Sequence, residues 1–307
     1  MLSGIAAFNA SFLTNLNRTE QRIGRDDQQL SSGIRVSVAS DDPAAVTPLL
    51  DAQTQIAQLN QTVSNLQQQQ TVAQTADSAL QSASSLLNQL ISIGTQGATA
   101  TQTANTRSAL GQQVQEIEQQ LVDIANTTVQ GCYVFGGDSV STQPYAFNWS
   151  NAEGVVSSGS PDNTLAIYGV DGSSIIPGLT AGQIFDLQLP NNGGPDPANV
   201  FQAVHQLGTA LLNNDQAGTE IALTSLQAAA NHVTQCAAIY GNTENWISQE
   251  IATANSRVTD LTAQISTLRD TDVAAAATDL SQGQVALNAA LSAQASLPTK
   301  SLFSYLG

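Results

Sequence analysis

Apolar residues recur every three or four positions along both ends of this chain, and the recurrence stops in between. Residues 5–130 and roughly 205–306 read as long amphipathic helices, whereas 132–200 read as short strands and turns. A helical pattern that is broken off and then resumed implies a stem folded back on itself with an inserted head. The fold class that follows is mainly α: a long antiparallel helical, coiled-coil stem formed by both chain ends, with a small inserted β-rich head domain. The expected division is residues 1–42 and 270–307 as terminal helices, 43–140 and 200–269 as stem, and 141–199 as an outward-facing head. A stem of this kind keeps faces that suit other copies or other chains, which points to assembly rather than catalysis.

The charge map supports that direction. Net charge is −16, yet no Lys or Arg stands between Arg107 and Arg257, a stretch with thirteen acids from Glu116 to Glu250. The other cations lie at the ends: Arg18, Arg22, Arg25 and Arg35, then Arg269 and Lys300. Nucleic acid is excluded as a natural partner, because phosphate binding needs clustered cations. Charged residues make up only 10%, so Gln, Ser, Thr and Asn fill the polar faces and suit packing against a partner. Aromatic residues are 5%, which leaves the packing to Ala, Leu, Val and Ile.

The first helical segment, 3–31, carries Ile5, Phe8, Phe12, Leu16, Ile23 and Leu30 on one face and ends at Gly33. Ser40-Asp41-Asp42-Pro43 is turn chemistry, with an Asp to cap the next helix and Pro43 at its first position. From 43 to about 93 a heptad runs through Ile56, Leu59, Val63, Leu66, Gln70, Ala73, Asp77, Leu80, Ser84, Leu87 and Ile91, with three polar interruptions. Gly94 to Ala104 reads as a turn, and a third helix spans about 105–129. Tyr133-Val134-Phe135 reads as a strand stopped by Gly136-Gly137, and Asp186–Pro197 reads as a linker. Two helices then carry Val200–Leu212 and Ile221–Val233, and the last long helix begins near Asn242.

No catalytic constellation emerges. His205 and His232 are the only histidines, and helix-surface or packing roles account for them. Cys132 and Cys236 form no CxxC and are read as free, partly buried thiols, with a disulfide between them left open. Asp41 and Asp42 are read as turn and cap rather than cation ligands. The expectation is therefore no catalytic residue, no cofactor and no metal. MLSGIAAFNASF lacks a basic n-region and a long apolar core, so no cleaved secretory signal is expected, and no window reaches membrane-spanning length. The terminal pair, 5–30 and 280–306, is too narrow to be stable alone and is expected to be ordered by neighbours.

Three groups of residues carry a resemblance. The first is Leu30-Ser31-Ser32-Gly33-Ile34-Arg35 followed by Ala39-Ser40-Asp41-Asp42-Pro43-Ala44-Ala45. The second is Ile124-Ala125-Asn126-Thr127-Thr128 running into Gly131-Cys132-Tyr133-Val134-Phe135-Gly136-Gly137. The third runs from Ile265 to Ala274 and ends in Ser301-Leu302-Phe303-Ser304-Tyr305-Leu306. Over about 1–140 and 200–307 the chain resembles the bacterial flagellin superfamily, and most closely the hook-associated proteins of the hook–filament junction. The resemblance implies a subunit of the extracellular flagellum, exported without a cleaved signal peptide, whose two ends form an inner coiled-coil core. It implies as partners other copies of itself in a helical ring, other hook-associated proteins, flagellin and an export chaperone, with no membrane insertion. Flagellin itself is the alternative, kept open by the many Ala and Gln residues, and a non-flagellar helical scaffold is a distant one. The assembly interface is expected at Ile5, Phe8, Phe12, Leu16 and Ile23, with Leu280, Leu287, Leu291, Leu302, Phe303 and Leu306.

Overall fold

The computed structural model describes residues 2–159, 166–175, 178–190 and 194–295. The chain is mainly α, with a small β region, and divides into two units. The first comprises residues 1–58 and 257–307, and the second residues 59–256.

In the first unit, α1 (Leu2–Ser32) stops at Gly33, whose φ of +71° is the left-handed conformation that ends helices at little cost to glycine. The chain then crosses in extended form. The Arg35 and Val36 amides donate to the Arg269 carbonyl at 2.7 and 3.2 Å, and the Thr271 amide donates to the Gly33 carbonyl at 2.9 Å. Ile34 and Asp270 thus form an antiparallel bridge at the break between α6 (Gln216–Arg269) and α7 (Val273–Ala295). The helix α2 (Pro43–Ala98) opens with proline at its first position, where its missing N–H is harmless. Val36, Ala45, Leu49, Ala52 and Ile265 form a small buried cluster, flanked by Ile56, Leu261 and Leu268. The helix α1 packs along α7.

The second unit holds the main core. Leu66, Ala73, Ala76, Leu80, Ala83, Leu87 and Leu90 of α2 bury a stripe at three- and four-residue steps. Facing it are Leu110, Val114, Ile117 and Leu121 of α3 (Ala104–Ala125), Val204, Leu207 and Leu211 of α5 (Val200–Leu212), and Leu226 and Val233 of α6. Gln70, Asp77 and Ser84 stand at the edge of this seam rather than in it: Gln70 bonds Ser248 at 3.1 Å and Asp77 accepts from Gln81 at 2.6 Å. Buried Arg107 ties the turn after α2 together, donating to the Gly97 and Thr99 carbonyls and to Asn214 at 2.8, 3.0 and 2.7 Å.

Several boundaries differ from the sequence reading. The helix α2 runs through Gly94 and Gly97, because Leu207, Leu223 and Leu211 lie where side chains would be, and glycine makes room for them. The third helix ends at Ala125, and Thr128–Val129 (β1) instead pairs with Cys132–Tyr133 (β2) around Gln130 and Gly131, both at positive φ. Of the expected Tyr133–Phe135 strand only Tyr133 pairs, while Phe135 turns into the core against Phe185 and Tyr240 at ring distances of 5.9 and 6.1 Å. The helix α6 starts at Gln216, not near Asn242, and runs unbroken for 54 residues. Asp186 is a hub rather than linker, accepting from Tyr145, Gln188 and Asn199. The remaining strands are short antiparallel pairs: Tyr145–Phe147 (β3) with Val155–Ser157 (β4), and Ile167–Tyr168 (β5) with Ser174–Ile175 (β6). The helix α4 (Ala181–Phe185) opens on a capping box between Thr180 and Gln183.

Candidate assembly interface

The first unit is poorly supplied with core. From residue 10 onward, the one buried residue of α1 is Asp26, and those of α7 are Ala276 and Gly283. Gly283 lies against Ile23: a methyl group there would meet the Ile23 side chain at 2.9 Å, so its absence lets the two helices approach closely. Phe12, Leu16, Ile23, Leu280 and Leu287 are each half-buried. Leu291 is 48% exposed, and Ile5 and Phe8 lie in the first turns of α1. Leu302, Phe303 and Leu306 fall outside the described residues.

Apolar side chains absent from the sequence-derived set are left more open. Leu13 is 57% exposed, Val273 58% and Val285 66%. Leu13 and Val285 escaped notice because a stripe is found by its repeat, and each falls between the repeats. A helix with apolar residues on more than one face keeps a surface in water after packing on one neighbour.

The crossing between the helices is better fixed. One Asp41 oxygen accepts from the Ser37 and Val38 amides, both at 3.0 Å, and from the Ser37 hydroxyl at 3.1 Å. Those backbone donors, Val38 first, hold the Asp41 carboxyl below its ordinary range. Asp42 caps α2 at the Ala45 amide and pairs with Arg35 at 3.2 Å, while Arg35 also donates to the Leu268 carbonyl at 2.7 Å. Asp270 is lowered by the Ser266 hydroxyl, at 2.6 Å, and then by Arg269. The turn-and-cap reading of Asp41 and Asp42 thus describes what they do.

Both histidines have partners that the sequence reading did not assign. His232 Nε2 lies 2.9 Å from the Gln183 carbonyl and 3.6 Å from Cys236 Sγ, one turn along the same helix. His205 stands 3.6 Å from Glu118. The cysteines differ from the expected equal pair: Cys132 is exposed and Cys236 buried, its thiol pushed up to about 11 by desolvation. Both are free. Among the described residues no group of three or more His, Cys, Asp or Glu could hold a metal ion, and no helix is long and apolar enough to cross a membrane.

Comparison with known proteins finds similarity to flagellar proteins. Residues 6–139 match the bacterial flagellin N-terminal helical region. Flagellin of Clostridium tyrobutyricum is 34% identical over 116 residues, which are 38% of this chain and 31% of that protein. The chain spans less than half the length of the flagellins it matches. A Vibrio parahaemolyticus protein described as flagellar hook-associated superposes with a TM-score of 0.64 at 20% identity, covering 74% of this chain and 99% of that one. The flagellar junction protein FlgL of Legionella pneumophila gives 0.57 at 15% identity, over 73% of this chain and 100% of its own.

Proposed function

We propose that this chain, whose residues 6–139 match the flagellin N-terminal helical region, belongs to the flagellin superfamily and is a structural subunit of the bacterial flagellum that joins hook-side proteins to the flagellin filament. The carrying observation is a terminal helix pair with few buried residues among those described, Asp26, Ala276 and Gly283, and with Leu13, Val273, Val285 and Leu291 open to water. Such a pair gains stability by burying those faces on neighbours, since helices in proteins draw most of theirs from packing. The junction role, rather than the filament role, is supported by the likeness of fold to hook-associated and junction proteins.

The mechanism is packing without chemistry. Ile5, Phe8, Phe12, Leu16 and Ile23 of one end, with Leu280, Leu287, Leu291, Leu302, Phe303 and Leu306 of the other, form the assembly face together with Leu13 and Val285. Neighbours of three kinds cover it: other copies in a helical ring, other hook-associated proteins on one side and flagellin on the other. An export chaperone covers the same apolar ends before assembly, and the protein works outside the cell. Flagellin is the second reading, favoured by the 34% identity over 116 residues to the flagellin of Clostridium tyrobutyricum. Polymerisation of the purified chain, seeded with sheared filament fragments and viewed by electron microscopy, separates the two. Binding at hook ends without self-filaments supports the junction role, and long filaments of this chain alone overturn it.

A further inference from the structure

A second feature, in the unit that holds the main core, has no part in that reading. Glu118 of α3 is wholly buried and His205 of α5 nearly so, with Nδ1 of the ring 3.6 Å from the carboxylate. Neither carboxylate oxygen nor Nδ1 has a hydrogen-bond partner among the described residues. A buried carboxylate left this way is costly unless it shares a proton or a counter-charge.

The lid over the pair is the loop between β3 and β4. Trp149 lies tilted on the His205 ring, with centroids 4.4 Å apart. Its indole also fills the space above Gly208, where a methyl group would land 2.5 Å from the ring and 3.1 Å from Val114. Gly154, at φ +70°, lays bare backbone on the carboxylate. A Cβ there would collide with Glu118 and stand 2.8 Å from His205 Nδ1. The loop closes on itself through the Asn148 amide donating to the Gly154 carbonyl at 2.8 Å.

We propose that Glu118 and His205 form a proton-operated latch that holds the loop 148–154 against α3 and α5, and lets it go as the pair loses its proton. With one proton between them the two groups are net neutral, as a carboxyl facing imidazole or as an ion pair. Loss of that proton leaves a net negative charge under a lid of glycine backbone and indole. Burial raises the Glu118 carboxyl above its ordinary range and His205 opposes this, so the stability the site gives is present in mild acid and lost as pH rises.

The surrounding charges do not rescue it. On α3, Glu116 and Asp123 are exposed, and Arg107 is engaged by Gly97, Thr99 and Asn214. His205 is the one titratable group of α5. The loop contributes Glu153, which interacts with Asp186 and Gln188. On the α6 side, Asp215 bonds the Gly218 amide, and on α2 Asp77 bonds Gln81. Only Arg107 among these is a cation.

The test is amide hydrogen exchange of residues 148–154 in the full chain, corrected for intrinsic rates. As pH rises from the ordinary carboxylate range to about pH 9, protection of the Asn148 amide is expected to fall about tenfold, and to stay within about threefold in Glu118→Gln. Equal pH dependence in the two proteins overturns the latch. If Glu118→Gln does not fold, His205→Asn decides: without the imidazole that lowers it, the Glu118 carboxyl keeps its proton further up the pH scale, so the loss of loop protection is expected to move to higher pH than in the parent. A pH dependence of protection unchanged from the parent in that variant overturns the proposal.

Discussion

Charging the open faces of the terminal helices separates packing within the chain from packing between chains. Leu13 and Val285 are 57% and 66% exposed, so most of each side chain contributes nothing to the monomer. Full burial of a Leu or Val stabilises by about 1.5–3 kcal/mol, which the exposed fractions reduce to about 1–2 kcal/mol each on assembly. The double variant Leu13→Asp/Val285→Asp forfeits about 2–4 kcal/mol and adds the cost of desolvating two carboxylates, which is larger still. At 1.4 kcal/mol per factor of ten, the concentration needed for incorporation rises by at least about 30-fold. Surface changes of this kind usually alter folding stability by about 0.5 kcal/mol or less, so helix content and melting temperature should match the parent. Seeded incorporation is read by electron microscopy and folding by circular dichroism. Incorporation at the parental concentration would refute the assignment of these faces to neighbours. A large loss of helicity would show instead that the two side chains support the monomer.

Trypsin should cut at exposed Arg18, Arg22 and Arg25 in the dilute monomer and be excluded from them after assembly; equal cleavage in both states, read by mass spectrometry, contradicts the ordering of α1 by neighbours. Phe135→Ala removes a fully buried ring between Phe185 and Tyr240, and a urea transition should show a loss of about 3–5 kcal/mol. Asp41 is lowered by backbone donors, so its hold on the turn is present above the ordinary carboxylate value and lost as pH falls through the depressed one. The Ser37 and Val38 amide resonances should therefore move only in strong acid, and should stay put in Asp41→Asn; movement near the ordinary carboxylate range would contradict this sign.

What the chain states locally, it states legibly. Gly33, Asp41, Asp42 and Pro43 announce the end of one helix and the cap of the next, because each residue favours its own backbone conformation or bonds a neighbour within a few positions. The repeats of Leu and Ala in α2 announce a buried face for the same reason, since helical geometry turns short spacing into one side of a cylinder. The motif residues Asn126 and Phe135 carried the family resemblance, but not their work. Asn126 clamps Tyr145 through a paired hydrogen bond of 2.7 and 3.1 Å, and Phe135 fills the core.

Tertiary structure decided whatever joins distant positions. Whether α6 breaks near Asn242 depends on what packs beside it, and Tyr240 bonding Leu179 lies beyond any periodicity. The bridge of Ile34 to Asp270, the hub at Asp186 and the burial of Glu118 against His205 likewise arise from packing of remote segments. The same holds for Leu13 and Val285, whose exposure depends on which face α1 and α7 turn toward each other. Spacing within a segment records which residues share a face; it does not record what that face meets, because that contact is chosen by close packing of the whole unit.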